Sequence, residues 1–295
     1  MPTIGIVHEA RIPPKSSRRL FEAAKKLNIP VHYIPIKYIV GKILDNDLDF
    51  SIGIKELKVD GILLRGLGFS PSLEQFLSRI SILKLIEYCG IRIMNNVDSL
   101  ILSRNKFMTL LIAKSRGINV PETILSENIA YTYKFIEHWG KYIYKPIIGS
   151  RGFGSTLFKD KDIAFQAMKT LEAFNQPLMF QKFIENPGRD IRIMVIGDDI
   201  VASMYRIASP SSWKTNIAQG GVGKPYKPVE EVREIAIKIS KMLGLDYAGV
   251  DILESPRGYI LLEVNGSADF EELTRVSGIN IAEKIVQYLV DLIKC

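Results

Sequence analysis

Three oxygen-bearing side chains late in the chain, Asp251, Glu263 and Asn265, have types and spacing that suit divalent-cation chemistry. Glu263 and Asn265 stand two apart in the run Tyr-Ile-Leu-Leu-Glu-Val-Asn, which is otherwise apolar enough for a strand buried on both faces. Strand side chains alternate, so these two point the same way. A carboxylate seldom enters such a strand without a partner, because taking the ion out of water is costly. The stretch Ser255-Pro256-Arg257-Gly258-Tyr259 predicts a three-residue hairpin loop with Gly258 in the left-handed position of a bulge. That loop would pair Ser255 with Tyr259 and set Asp251 directly opposite Glu263. Three oxygens would then converge on one sheet face, an arrangement suited to Mg²⁺ that keeps its other positions for water and phosphate. The competing reading is that these acids simply pair with Arg or Lys.

A second group lies earlier. Lys145 ends an apolar run and is followed at once by Gly149-Ser150-Arg151-Gly152-Phe153-Gly154. Glycines let backbone approach phosphate oxygens closely, and successive N–H groups form an anion-binding nest. No Lys-Ser or Lys-Thr follows the last glycine, so this is not a P-loop, and an ordinary hairpin would look similar. Lys106, at the head of an earlier helix, is a second candidate cation or else a solvated lysine. The stretch Gln181-Lys182-Phe183-Ile184 ends an apolar strand with groups that could meet a purine edge and flank its ring, although a plain buried strand has the same pattern. Arg192 and Arg206, each on a strand, are candidate carboxylate or phosphate clamps. Gly220, Gly221 and Gly223 superficially resemble a dinucleotide loop but lack a strand-to-helix setting. His8, His32 and His138 are too dispersed for a metal site, and no Ser-His-Asp or Cys-His set is visible.

The elements that must position these groups follow from periodicity. Strands are predicted over 3–7, 31–36, 61–64 and 91–94, with helices starting at Ser16-Ser17 and Ser72 between them, which implies an open, mostly parallel sheet. The middle of the chain predicts a helix over 103–115, strands over 142–145 and 156–158, a helix over 163–174 and a strand over 179–184. The last third predicts strands over 191–196 and 200–205, a helix over 229–243, strands over 247–253 and 259–264, and a closing helix capped by Asn280 with Glu283 completing a capping box. The class is therefore α/β, with α+β character in the C-terminal half.

Composition bounds the rest. The 295 residues carry 39 Lys+Arg against 32 Asp+Glu, a net charge of +7, with 47% hydrophobic and 24% charged residues, which excludes a disordered or fibrous chain. No run of about 18 uncharged apolar residues exists, so no membrane role is expected. The start lacks the layout of a secretion signal, and two cysteines, Cys89 and Cys295, make neither a disulfide framework nor a cysteine metal site. A cytoplasmic protein is expected. The basic residues are scattered and not interleaved with aromatics, so a nucleic-acid partner is not expected.

Taken together, Lys106, Lys145 with its glycine loop, 181–184, Asp251 and Glu263-Val264-Asn265 resemble the ATP-grasp superfamily, and within it the RimK-type amino-acid ligases over essentially the whole chain. Gly188-Arg189-Asp190-Ile191-Arg192, Trp213-Lys214-Thr215-Asn216 and Gly278-Ile279-Asn280-Ile281 match the style of that group. The segment Leu64-Arg65-Gly66 onward is most similar to archaeal enzymes that add α-linked glutamate to tetrahydromethanopterin or to a deazaflavin coenzyme.

The resemblance implies an ATP-grasp fold with an N-terminal open parallel-sheet domain, divided as 1–96, 97–185 and 186–295, with ATP between the second and third. It implies that Lys106, Lys145 and the loop residues Gly149, Ser150, Arg151, Gly152 and Gly154 meet phosphates, that Gln181, Lys182, Phe183 and Ile184 frame adenine, and that Asp190 meets ribose. Lys214, Thr215 and Asn216 would reach the phosphate region. Asp251, Glu263 and Asn265 would hold two Mg²⁺ or Mn²⁺. Arg192, Asn216 and Ser267 would face the substrates, and Arg206 with Lys145 would stabilise charge in an acylphosphate route.

The implied partners are L-glutamate and a small-molecule acceptor, or an acidic carrier protein or ribosomal-protein terminus as acceptor, in a homo-oligomer. A nucleotide-binding regulatory module without turnover is the reading from another class. The chain departs from the family pattern at Asn105, where many relatives have Asp, at Lys182, where Glu is common, and at Gly266-Ser267-Ala268-Asp269-Phe270. The last segment is more similar to ligases that load amino acids onto a carrier.

Overall fold

A computed structural model of the chain describes residues 1–56, 58–149, 152–210 and 212–294. The first sheet holds β1 (Ile4–His8), β2 (Val31–Pro35), β6 (Gly61–Leu64) and β7 (Arg92–Met94) in the order β2-β1-β6-β7, all parallel. Helices α1 (Lys15–Lys26) and α2 (Leu73–Tyr88) make the crossovers. Ser72 and Gln75 close a reciprocal capping box at the start of α2. Ser16 and Ser17 do not cap α1 as expected; the helix begins at Lys15 behind Pro14, and Ser17 is buried in its first turn. Between β2 and β6 the chain adds an antiparallel meander, β3 (Ile39–Leu44), β4 (Asp47–Ile52) and β5 (Lys55–Glu56), which the sequence reading did not contain.

The single helix expected over 103–115 is two, α3 (Val97–Arg104) and α4 (Lys106–Ser115). Asn105 breaks the run: its backbone is extended and its side chain accepts from the Met108 N–H, capping α4. Lys106 therefore opens a helix, and α4 packs with Ile118 against the third main sheet rather than the second. That second sheet, order β10-β9-β11-β8, contains β8 (Thr123–Ser126), β9 (Tyr142–Tyr144), β10 (Thr156–Phe158) and β11 (Leu178–Lys182), all antiparallel. Helices α5 (Ile129–Ile136) and α6 (Lys161–Ala173) cover one face over an aromatic cluster in which Phe180 lies 5.6–6.1 Å from the rings of Tyr142, Tyr144 and Phe158.

The third main sheet is five-stranded and antiparallel, order β14-β13-β12-β15-β16: β12 (Arg189–Ile196), β13 (Asp199–Ile207), β14 (Val222–Pro225), β15 (Tyr247–Ser255) and β16 (Gly258–Asn265). One face packs on α7 (Glu230–Met242) through Ile191, Ile193, Val195, Val250, Ile252 and Leu261. Helix α8 (Glu271–Ser277) and the closing α9 (Ile281–Lys294) cover part of the other. At α9 only half of the expected capping box forms. Asn280 accepts from the Glu283 N–H, while the Glu283 carboxylate pairs with Lys26 of α1 at 2.6 Å. A single apolar core joins α1 and β1 to α9 and to Met194, Met204 and Tyr247 of the third sheet.

Phe180 is fully buried at the centre of the aromatic cluster. Phe180→Ala is expected to destabilise the chain by about 3–5 kcal/mol, the usual cost of emptying an aromatic site. Urea unfolding followed by tryptophan fluorescence checks this, and an unchanged midpoint would mean that the cluster collapses without loss.

Candidate active site

Alternation along β12 fixes the site. Met194 and Ile196 sit in the core shared with α9, while Asp190 and Arg192, on the same face, begin an ionic region. Neighbouring strands continue it. Arg206 of β13 lies opposite Asp190, Asp251 of β15 opposite Arg192, and Glu263 of β16 opposite Asp251. One sheet face thus changes from apolar packing to charge partway along its strands.

Asp251 and Glu263 are paired as expected, but for a different reason. The hairpin loop has two residues, and Ser255 pairs with Gly258, not Tyr259. The register shifts later, between Asp251 and Ile252, where Leu261 pairs with Ile252 and Leu262 is the extra residue of a bulge. Leu262 and Glu263 consequently both line the cleft, while Leu261 remains in the core. Asn265 follows on the same face opposite Gly249 but is outside the cleft lining.

The ionic groups are close and buried. Arg206 donates from Nε and Nη2 to the two Asp190 oxygens at 2.8 and 2.6 Å, and its Nη2 also reaches Asp251 Oδ2 at 2.9 Å. Arg192 Nε lies 2.8 Å from Asp251 Oδ1 as an ion pair, yet among the described residues that oxygen accepts no hydrogen bond. Arg192 fits here because Gly249 has no Cβ to meet its guanidinium. Burial alone would lower the Arg206 pKa, but Asp190 and then Asp251 outweigh it, so the group is held well above its ordinary value. Burial pushes the Asp251 carboxyl up against the pull of both arginines, and Asp190 and Glu263 add to the rise.

Asp251 Oδ1 is thus left without a hydrogen-bond donor among the described residues. A carboxylate with an oxygen lacking a hydrogen bond, facing a second carboxylate, is a donor set that fits a hard divalent cation. Among the described residues no group of three or more His, Cys, Asp and Glu could hold a metal, so such a site rests on these two acids with amide, water or substrate oxygens.

The facing wall comes from the second sheet. Tyr142 and Tyr144 face the aromatic core, so Ile143 and Lys145 turn to the cleft. Lys145 is half-buried, and burial lowers its pKa against the pull of Glu263. Lys106 Nζ donates to the Gly149 carbonyl at 2.7 Å and stands 3.6 Å from Glu263, so both lysines project toward the acids. Lys214 Nζ donates to Gly152 O at 3.0 Å, and a Cβ on Gly152, whose φ is +72°, would meet Asn216 Oδ1 at 2.5 Å. The 213–216 tract therefore grips the glycine loop.

The cleft between these walls has an empty volume of about 930 Å³, part of it open to solvent. It brings together Lys106, Lys145, Gly149, Gly152, Gln181, Lys182, Phe183, Ile184, Asp190, Arg206, Lys214, Thr215, Asn216, Asp251 and Glu263. Four expected residues lie off it. Arg192 sits against Asp251, Asn265 lies beyond Glu263, Gly154 packs on Pro146, and the Ser267 hydroxyl donates to Leu64 O at 3.3 Å. Ser150 and Arg151 fall outside the described residues. Gln181 is buried and donates to Thr123 Oγ1, and Lys182 pairs with Glu122 at 2.7 Å.

Sequence reasoning missed Ile143, Leu253, Leu262 and Trp213 as lining residues. Strand alternation from Lys145 and Asp251 could have found the first two. It also missed Asn95, whose amide donates to Tyr247 O and Gly266 O, holding the segment just after Glu263 and Asn265.

Comparison with known proteins identifies the family. Residues 103–289 match the model of the RimK-like ATP-grasp domain. The tetrahydromethanopterin:alpha-L-glutamate ligase of Methanocaldococcus jannaschii is 31% identical over 282 residues, covering 93% of this chain and 94% of that protein. The alpha-aminoadipate–LysW ligase LysX of Sulfurisphaera tokodaii is 34% identical over 220 residues, 71% of this chain and 75% of that one. Among solved structures, the ATP-grasp ligase PsnB, complexed with a precursor variant, Mg and ADP, superposes with a TM-score of 0.78 over 98% of both chains at 19% identity, a likeness of fold. The chain belongs to the RimK-like ATP-grasp family. Within that family it is an ATP-dependent amino-acid ligase. No helix among the described residues is long and apolar enough to cross a membrane.

Lys145→Met is expected to weaken Mg-nucleotide binding by about 10- to 100-fold, since a hydrogen bond to a charged group contributes about 1.5–3 kcal/mol. Calorimetric titration with ATP checks this; an unchanged dissociation constant would remove Lys145 from the nucleotide site.

Proposed function

We propose that this ligase joins the amino group of L-glutamate to a carboxylate of a small-molecule coenzyme acceptor. The observation that carries the reading is two lysines facing two acids across one cleft: Lys106 and Lys145 opposite Asp251 and Glu263. The relative named a tetrahydromethanopterin:alpha-L-glutamate ligase, which matches 93% of this chain, supports the choice of amino acid and acceptor. Three units divided near residues 96 and 185 fit the three main sheets, with α3 packing mainly on the first and α4 crossing onto the third. A cytoplasmic setting fits such a substrate.

In this reading Asp251 and Glu263, with Asn265 beyond them, hold Mg²⁺ or Mn²⁺, which would screen the triphosphate's charge when bound. Lys145 and Lys106 meet the phosphates, together with the backbone of Gly149 and Gly152. Phe183 and Ile184 flank the adenine, with Gln181 and Lys182 at its edge. Phosphoryl transfer needs positioning and charge neutralisation more than a protein nucleophile, in keeping with a cleft of lysines, acids and backbone amides. The acceptor carboxylate attacks the γ-phosphorus, ADP leaves, and the glutamate amine displaces phosphate from the acylphosphate. Arg206 faces the charge that develops there. Gly152, held by Lys214 and Asn216, helps keep water from the acylphosphate.

The 34% identity to a ligase named for a carrier protein, together with the +7 charge, favours one alternative acceptor, an acidic carrier protein. Incubation with ATP, Mg²⁺, L-glutamate and either acceptor, followed by mass spectrometry, separates the two. The coenzyme is expected to gain one glutamyl residue with ADP release; a gain on the carrier alone would move the assignment, and no ADP with any acceptor would refute it. Glu263→Ala is expected to lower turnover by at least about 100-fold with an unchanged circular dichroism spectrum; full activity at saturating Mg²⁺ would remove Glu263 from the metal site.

A further inference from the structure

We infer that the crevice at the carboxyl ends of β1 and β6 binds an oxyanion of the acceptor, with Arg79 and Arg104 as its recognition groups. This anion is not the reacting carboxylate; the inference rests on the ligase reading and deepens it by naming what else the acceptor must carry. The chain passes from β1 out to β2 and then returns to β6 on the other flank of β1, so the strand order reverses between β1 and β6. In an open parallel sheet the connections diverge at such a point and leave a crevice beyond the strand ends, where ligands settle. Glu9 follows β1 there, and the loop over 65–69 follows β6.

Two guanidinium groups close on this loop from neighbouring helices. Arg79 of α2 donates from Nη1 to Leu67 O at 2.5 Å, and Arg104, the last residue of α3, donates from Nη2 to Gly68 O at 2.8 Å. Only glycine fits between them: the φ of Gly68 is +111°, and a Cβ there would meet both Arg79 Nη1 and Glu9 Oε2. A guanidinium carries five N–H donors, and one carbonyl apiece leaves most of them unused. Arg104 Nε is buried without a partner among the described residues. The charged groups that act on Arg104 are Glu9, which favours its charged form, and Arg79, which opposes it, so two cations share one acid. Glu9 is itself engaged elsewhere. Its Oε1 accepts from the Phe69 N–H at 2.9 Å, and its Oε2 stays 3.8 Å from Arg79 Nη1, beyond hydrogen-bond reach. The crevice is thus short of negative charge and supplied with directed donors, the complement of a carboxylate or phosphate.

This crevice adjoins the reaction cleft. Arg104 stands two residues before Lys106, whose Nζ is 3.6 Å from Glu263. The loop is also tied to the segment just past the acids: Arg65 Nη2 donates to Ala268 O at 2.9 Å, and the Ser267 hydroxyl donates to Leu64 O at 3.3 Å. L-glutamate is short, and its amine must sit at the acylphosphate. The acceptor is the reactant that extends past 266–268 to the N-terminal sheet. An anion held by Arg79 and Arg104 fixes its far end and presents the other carboxylate to the γ-phosphorus.

The test measures binding of tetrahydromethanopterin by calorimetry with a non-hydrolysable ATP analogue present, and KM for each reactant by ADP release. In Arg79→Gln both the dissociation constant and KM for tetrahydromethanopterin are expected to rise by about 10- to 100-fold. KM for L-glutamate and for ATP stays within about threefold of wild type. Glu9→Gln still accepts from the Phe69 N–H but removes the competing charge, and is expected to lower the tetrahydromethanopterin constant by about two- to fivefold. A loop that mattered only for packing would raise the constant in both variants, so opposite signs separate recognition from structure. An unchanged constant in Arg79→Gln, a rise in both variants, a rise confined to L-glutamate, or no binding of tetrahydromethanopterin by the wild-type protein would overturn the inference. If Arg79→Gln does not fold, the direction of the change in Glu9→Gln decides alone. Failure of the ligase reading appears separately, as absence of ADP release while binding, and its loss in Arg79→Gln, persist.

Discussion

The architecture turns on one constraint: four ionised groups, Asp190, Arg192, Arg206 and Asp251, are seated on a single sheet face with almost no water. Each alone would be strongly disfavoured there, because desolvation exceeds what any one partner returns. Together their formal charges cancel, and the antiparallel ladder sets each beside a group of opposite sign. Everything nearer the solvent is built on this layer. Glu263 stands at its edge, Lys106 and Lys145 reach toward it from the facing wall, and Thr215 anchors the tract that grips the glycine loop.

That layer also explains why the acids serve a ligase better than an isolated carboxylate pair would. Asp251 is held from two sides by arginines, so its orientation is fixed, while burial pushes its carboxyl pKa up. Glu263, half-exposed and only loosely approached by Lys106, provides the adaptable half of the pair.

Much of this was legible in the sequence where the signal is local. Two-residue alternation put Glu263 and Asn265 on one face, and an ammonium group at the end of an apolar strand marked Lys145. Local signals also misled. Asp251 does lie opposite Glu263, but the expected loop at Gly258 is not the cause; the irregularity is at Leu262, where an apolar run carries no mark of a bulge. Asn105 reads equally well as a helix interior or a cap until its side chain is seen accepting from Met108. The pairing of Asp190 with Arg206, sixteen residues away across a hairpin, was not legible either, because pairing of that kind is not written in spacing. The 39–56 meander was missed because its outer faces mix apolar and charged residues without a regular beat.

The core shared by α1, β1 and α9 has a consequence for biogenesis. Leu289 and Val286 of α9 seal the same apolar space as Ile4 and Ile6, which precede them by nearly the whole described chain. On a translating ribosome the opening strands emerge long before their cover exists, so their greasy side must be shielded by transient partners or by chaperones until synthesis reaches α9. A pause late in translation would then lengthen the interval during which the nascent polypeptide is prone to clumping.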